Sequence, residues 1–333
     1  MSARPRLSVV IPTRDRPELL QTCLEGFAQQ SLPCGAFEVL VVDDGSTEPL
    51  DGLSAGFAGR LALQIVRRPP DGVSAARNIG VALARGDHLL LFDDDQYPAS
   101  DLVQHCLDFH ESQPEEGDFL LLRVVPDMTK PREPESFAMF EGTLFMSYPS
   151  PGERWGYGSF WGGAVSCKRS IFRYGLYDLA YRMAEDAELG LRINQMLPLT
   201  DHFRHDRADA VQMRTMNTRQ MLVRWCRLSY FHLIWQRNYP QLVKIGARPA
   251  YQNAQAIVAR RGPMKEIVAA CEAQARAIGP VSPDNLTPPT QAALGEYVVH
   301  MRVAVEKAQA LGWLAARNDE PFEAVLEREF GAT

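Results

Sequence analysis

The 333-residue sequence has no CxxC pair, no dense cysteine framework, no apolar run of membrane-spanning length and no excess of positive charge. Each absence removes a class of protein. The six cysteines (Cys23, Cys34, Cys106, Cys167, Cys226 and Cys271) are scattered, which excludes a disulfide scaffold or a cysteine zinc site and suits reduced thiols. Without a run near the ~20 apolar residues of a span, no transmembrane helix is expected. Met1-Ser-Ala-Arg-Pro-Arg6 leads towards a strand without the apolar core of a secretory signal, so a cytoplasmic location is expected, with contact at the inner membrane face left open. A formal net charge of -6 argues against general nucleic-acid binding. At 46% hydrophobic and 23% charged, the composition is that of an ordinary globular protein. The length suits a catalytic domain with an appendage.

What is present is a series of strands that end in acids. Leu7-Ser-Val-Val-Ile11, closed by Pro12, reads as a first strand. Pro17 then starts a helix to about Gln30, with Leu19, Leu20, Cys23, Leu24 and Phe27 at helical spacing. Glu38–Val42 reads as a second strand ending in Asp43-Asp44, and Leu61–Val66 as a third. A helix over about 75–84 follows, with Ser74 as a candidate cap. His88-Leu-Leu-Leu-Phe92 is a buried strand whose tip carries Asp93, Asp94 and Asp95, and a Pro98-initiated helix runs to about Ser112. This alternation predicts an α/β fold, a mostly parallel sheet with helices on both faces.

Three carboxylates on one strand tip repel one another, and a hard divalent cation would neutralise them. The Asp43-Asp44 and Asp93–Asp95 tips are expected on neighbouring strands at one sheet edge, where open α/β sheets bind ligands. Arg77 and Asn78, in the first turns of a helix, suit phosphate oxygens. The plainer alternative for Arg77 is a salt bridge to one of these acids. A metal-bridged nucleoside diphosphate would use all three features.

The second half is less regular. Asp118–Val125 reads as one strand. The stretch Gly156-Tyr-Gly-Ser-Phe-Trp-Gly-Gly163 reads as an irregular loop whose backbone can approach a ligand and whose rings could stack on a sugar, the alternative being a hinge packed by buried aromatics. Glu185-Asp186 opens a helix, where N-capping is the alternative role. From His202 to Lys265 there are twelve Arg and Lys against two acids, interleaved with Trp225, Tyr230, Phe231, Trp235 and Tyr239 on a helix over Thr218–Asn238. This is either a surface for anionic lipid head groups or, as favoured, a helix packed on the catalytic domain with its arginines paired to sheet-edge acids. A long helix over about 290–316 and a last one over 320–330 close the chain.

In this order the motifs resemble the inverting, non-processive family 2 glycosyltransferases of GT-A fold. The matching stretches are Ser8-Val-Val-Ile-Pro-Thr-Arg-Asp-Arg16, Val41-Val-Asp-Asp-Gly-Ser-Thr47, Ser74-Ala-Ala-Arg-Asn-Ile-Gly80, Phe92-Asp-Asp-Asp95, Gly162-Gly163 and Glu185-Asp-Ala-Glu-Leu-Gly-Leu-Arg192. The resemblance implies a GT-A catalytic domain over 1–215 and a helical C-terminal region over 216–333, which would serve an acceptor site, a homodimer interface or both. It implies a nucleotide-sugar donor, most readily UDP- or GDP-linked, held by Thr13, Asp44, Arg77, Asn78 and Asp94. A Mn or Mg ion would sit on Asp93 and Asp95. Asp186, with Glu185 beside it, matches the catalytic base, and a hydroxyl-bearing glycan, lipid-linked sugar, protein or metabolite would be the acceptor.

Two departures from the pattern stand out. Arg214 falls where many members carry a metal-binding histidine, while His202 and His205 lie upstream; Arg214 then either leaves the metal shell to be completed otherwise or supports the diphosphate itself. Gln220-Met-Leu-Val-Arg-Trp225 is one residue too long for the QxxRW motif of processive synthases. The competing readings are a nucleotidyltransferase, against which the glycine-free Pro12-Thr-Arg-Asp15 turn argues, and a catalytically silent scaffold, against which the intact Asp cluster and Glu185-Asp186 argue.

Overall fold

A computed structural model describes residues 4–142, 144, 147–240, 249–259 and 262–331. The chain divides into two compact units, residues 1–125 with 148–214, and residues 126–147 with 215–333. The linear reading puts 126–147 with the catalytic domain. In the structure its helix α5 (Pro134–Phe140) contributes Ala138 and Met139 to the apolar core of the second unit.

The first unit is built on a seven-stranded sheet. Its strands are β1 (Leu7–Thr13), β2 (Phe37–Asp43), β3 (Leu63–Arg67), β4 (His88–Phe92), β6 (Asp118–Leu121), β8 (Ala164–Lys168) and β9 (Thr200–Phe203). Their order is β3-β2-β1-β4-β8-β6-β9. β1, β2 and β3 pair in parallel, as do β1 with β4 and β6 with β9, whereas β8 is antiparallel to both its neighbours. The aliphatic runs of β1 and β2 are buried along their whole length, as strands covered on both faces must be. Helices α1 (Pro17–Ala28), α2 (Asp51–Gly56), α3 (Val73–Leu83), α4 (Leu102–Ser112) and α6 (Glu185–Asn194) connect these strands.

Three sequence expectations change. Asp118–Val125 is two strands, because the chain leaves the large sheet at Leu122 and enters a three-stranded sheet, order β5-β10-β7, as β7 (Val124–Pro126), with β5 (Gln96–Pro98) and β10 (Ala210–Gln212). Pro98 therefore ends a strand, and α4 starts at Leu102. Ser74 is not the cap of α3: that place is taken by Gly72 at φ 94, a left-handed backbone that glycine adopts without a Cβ clash.

At the opposite end of β4, His110 is buried and its Nε2 lies 2.9 Å from Ser166 Oγ. The Ser166 hydroxyl donates to Leu89 O, so it accepts from His110, whose proton is thereby assigned to Nε2. Burial, then the nearby His88 and Lys168, push the His110 imidazole down to about 2. The unfolded chain therefore binds a proton below about pH 6.5 that the folded chain refuses, and stability is lost as pH falls. Between pH 7 and 5 this amounts to about 2 kcal/mol. Denaturant melts of His110→Gln are expected to show a pH dependence shallower by about that amount; an unchanged slope would assign the acid sensitivity elsewhere.

The second unit is helical. Its elements are α5, α7 (Thr218–Asn238), α8 (Pro249–Gln252), α9 (Ala254–Ala259), α10 (Met264–Ile278), α11 (Pro288–Arg317) and α12 (Phe322–Phe330). Asn217 and Gln220 form a reciprocal capping box at the start of α7. Met221, Leu222 and Cys226 of α7 pack with Met301, Ala304, Ala308 and Leu311 of α11, and Trp225 and Tyr230 lie against the same core. Three arginines of α7 find partners inside this unit: Arg237 pairs with Asp319 at 2.9 Å, Arg219 donates to Gly331 O, and Arg227 lies over the Phe322 ring. That corrects the expected pairing with sheet-edge acids. Lys244, Arg248, Arg260 and Arg261 of the basic stretch lie outside the described residues. Among the described residues no helix is long and apolar enough to cross a membrane.

Candidate active site

The parallel strands bring their C-terminal tips to one edge. The Asp43-Asp44 and Asp93–Asp95 tips share that edge, but β1 lies between their strands, so they are not neighbours. This separates their roles. Asp44 is buried and accepts from the Asp71 and Gly72 N–H groups at 2.9 and 2.7 Å and from Arg68, which shapes the turn into α3.

Asp93, Asp94 and Asp95 diverge. Asp94 is buried, accepts from Thr13 Oγ1 at 2.7 Å and from Arg16 Nη1 at 2.9 Å, and ties the ends of β1 and β4 together. Burial nevertheless holds its carboxyl above the usual range, against the pull of Arg16 and Thr13. Burial and then the charge of Asp93 push the Asp95 carboxyl up to about 6. Asp93 is the open one, with its side chain 40% exposed. Arg16, which also lies 3.8 Å from Asp95, was not singled out from the sequence. Its only local signal is its place three residues after the end of β1, and its reach to β4 is tertiary.

Arg77 is buried and makes the salt bridge that is its plainer alternative, Nη2 lying 3.2 Å from Asp93, and a second one outside the strand tips, Nη1 lying 2.8 Å from Glu185. It links the Asp cluster to the first turn of α6. Asn78 does not present its amide to a ligand. Its Nδ2 donates to Tyr177 O at 2.8 Å and its Oδ1 accepts from Tyr177 N–H at 2.9 Å, because the 175–184 segment folds back over α3 and needs its backbone satisfied.

Neither Glu185 nor Asp186 is the N-cap of α6. Ala184 is, in left-handed conformation at φ 60. Asp186 accepts from the Gly162 N–H at 3.1 Å and from its neighbour Ala187 N–H at 2.8 Å. Gly162 and Gly163 immediately precede β8, and Ala164 pairs with Phe92 at the base of the Asp cluster. A Cβ on Gly162 would lie 2.6 Å from Arg77 Nη1, and one on Gly163 would fall on the Asp93 carboxylate, so a side chain at either position would push Arg77 or Asp93 out of its present place. The glycine-rich loop contains one 3-10 turn, Gly156–Ser159.

Arg214 follows Met213, whose N–H donates to Asp95 O at 2.8 Å. It is half-buried and has neither ion pair nor hydrogen bond among the described residues. His202 instead lies 2.9 Å from Asp118, and His205 packs edge-on against Phe203. Tyr177 is buried with no hydrogen-bond partner for its hydroxyl among the described residues, and that hydroxyl lies beside Gly162 and Arg77.

The chain is similar over more than nine tenths of its length to solved structures of low sequence identity. A Staphylococcus aureus TarS fragment (residues 1–349) solved with UDP matches with a TM-score of 0.53 at 14% identity, covering 95% of this chain and 92% of that one. A mannosyltransferase from Pyrobaculum calidifontis, solved with GDP-Man and Mn2+, matches with a TM-score of 0.50 at 18% identity over 91% and 87%. These likenesses carry the GT-A fold. Among curated proteins, a PGL/p-HBAD biosynthesis glycosyltransferase of Mycobacterium bovis is 29% identical over 208 residues, 61% of this chain and 75% of that protein. A validoxylamine A glucosyltransferase of Streptomyces hygroscopicus is 37% identical over 108 residues, 32% and 26% of the two chains. The model of the family described as Glycosyl transferase family 2 matches residues 8–176, half of the chain, and takes in the strands and acid tips that build this edge. The chain belongs to glycosyl transferase family 2, and it is a glycosyltransferase.

Proposed function

We propose that this enzyme moves a sugar from a nucleoside-diphosphate donor to an acceptor hydroxyl with inversion, Asp186 acting as general base. The observation that carries the reading is the Asp186 carboxylate fastened to the Gly162 N–H at the sheet edge that bears Asp93 and Asp95. Its two N–H donors hold the carboxylate in place and aim it, which a base requires. Asp186 takes the proton of the acceptor hydroxyl as its oxygen bonds to the anomeric carbon. The bond from that carbon to the diphosphate breaks, and its electron pair leaves with the phosphate oxygen. One displacement inverts the anomeric centre.

The residues at the Asp cluster fit a divalent cation. Asp93 and Asp95 are two carboxylates, burial and then the charge of Asp93 lift Asp95, and Asp94 is already engaged by Thr13 and Arg16. No group of three His, Cys, Asp or Glu side chains is arranged to hold a metal among the described residues. Two carboxylates completed by donor phosphates is an ordinary setting for Mg or Mn. When bound, the cation neutralises charge developing on the diphosphate. Asp93 and Asp95 would hold it, and Arg214, which follows the Met213 whose N–H donates to Asp95 O and has no ion pair among the described residues, would add a second positive charge. TarS was solved with UDP and the mannosyltransferase with GDP-Man and Mn2+, which supports this donor class.

Calorimetric titration with UDP and with GDP, each with manganese and with EDTA, tests the reading. One nucleotide is expected to bind with manganese, and Asp95→Ala is expected to weaken it at least about tenfold, since even indirect metal contacts are worth that much. Binding that survives EDTA and Asp95→Ala would shift the diphosphate to Arg214. Binding of neither nucleotide would overturn the donor assignment.

A further inference from the structure

The rings of the glycine-rich loop belong to a longer row. Trp155 and Trp161 lie 6.2 Å apart between centroids, Trp161 and Tyr148 5.6 Å, and Tyr148 and Phe203 4.8 Å with their planes 15° from parallel. His205 closes the row edge-on, 4.7 Å from Phe203. The first four rings are half-buried and His205 is exposed. Their polar ends are fixed: Trp161 Nε1 donates to Gly158 O at 3.2 Å, and the Tyr148 hydroxyl donates to Val124 O and accepts from Val124 N–H. The aromatics of the sheet core, by contrast, are closed to solvent, as at Phe92, Phe119 and Phe160. Rings held in place yet left half open are unused by the core and suit a ligand that offers flat apolar faces.

What borders the row says which ligand. Trp161 directly precedes Gly162, which holds the candidate base. Phe203 and His205 line a cavity of about 630 Å³ between α4, β9 and residues 149–154, within the ~300–1,000 Å³ of ordinary ligand sites. That lining also carries Gln104, Asp108, Gln113 and Glu153, and Leu120 is its one branched aliphatic side chain among the described residues. An acyl chain would ask for continuous aliphatic walls. A polyanion would ask for free cations, whereas Arg204 is paired with Asp206, Arg207 with Asp101 and Asp209, and Arg154 is turned to the Asp201 carbonyl. Aromatic faces alternating with amides and carboxylates match sugar rings, which present C–H faces and hydroxyl edges.

We infer that this row and cavity are acceptor subsites for a carbohydrate, whose reacting hydroxyl lies at Asp186 while further sugar units run along Trp161, Tyr148 and Phe203 into the cavity. The inference rests on the transfer reading above. It is tested with the full chain on an immobilised oligosaccharide array, in the presence of manganese and whichever of UDP or GDP binds. Wild type is expected to retain a defined subset of glycans. Trp161→Ala and Phe203→Ala are expected to lower that binding by at least about tenfold, while Trp161→Phe and Phe203→Tyr keep it and nucleotide titration stays unchanged in all four. Should an alanine variant also lose nucleotide binding through misfolding, His205→Ala, at an exposed ring of the cavity lining, carries the test in its place. A wild type that retains no glycan, or alanine variants that bind as wild type does, would overturn the assignment. Absence of nucleotide binding by wild type is a separate signal and would sink the transfer reading instead.

Discussion

Asp186→Asn is expected to cut sugar transfer by roughly 10²–10⁴, the usual worth of a general base, with nucleotide affinity as in wild type. The substitution keeps shape and volume, and the amide oxygen can still accept from the Gly162 N–H that holds the carboxylate now. What disappears is the ability to take a proton. Because the acceptor hydroxyl reacts only as it loses that proton, the deficit belongs to the chemical step and should survive saturation with donor and acceptor. Single-turnover transfer beside a nucleotide titration separates the two effects. Wild-type turnover by the variant would remove Asp186 from the mechanism.

Arg77→Gln is expected to destabilise the first unit by about 3–5 kcal/mol, the range for breaking a buried ion pair from one side. Arg77 is 5% exposed at its side chain and Glu185 10%, so that pair is shielded from water, whereas Asp93 at 40% is partly solvated and adds little. The loss comes from a carboxylate kept out of water without this cation. Removing both charges in Arg77→Gln/Glu185→Gln should therefore recover most of the stability, and Arg77→Lys should recover little, because one ammonium cannot reproduce a guanidinium reaching two carboxylates. Denaturant unfolding of the three variants decides it. A single variant within 1 kcal/mol of wild type, on the scale of surface ion pairs, would mean that the link between the Asp cluster and α6 carries no load.

Much of the architecture was legible in the residues. β1, β2 and β4 are runs of Val, Ile and Leu closed by proline or acids, and the chemistry of a doubly covered strand is written in the run itself. α7 occupies the Thr218–Asn238 span expected from its pattern because Asn217 and Gln220 cap it with local atoms. Family membership also answers the nucleotidyltransferase alternative. Less was visible of β8, Ala164–Lys168, a short antiparallel strand with no alternation of its own, whose place between β4 and β6 depends on partners distant in sequence. The split of Asp118–Val125 was hidden for the same reason, since two sheets share one apolar run.

The sequence by itself determined which chemical groups stand at the strand tips: the Asp triplet, the Glu185-Asp186 pair, and glycines where backbone must pass close to other atoms. Those properties are local, set by residue type and by spacing along one element. The tertiary structure alone decided their division of labour. Order within the sheet put β1 between the two acidic tips, sending Asp44 to the Asp71–Gly72 turn while Thr13 and Arg16 took Asp94. The insertion of β8 beside β4 set Gly162 against Asp186 and Gly163 against Asp93, and spent Asn78 on the Tyr177 backbone near by. A carboxylate's task follows from which donors and charges lie within a few ångströms, and a chain chooses those only when it closes on itself.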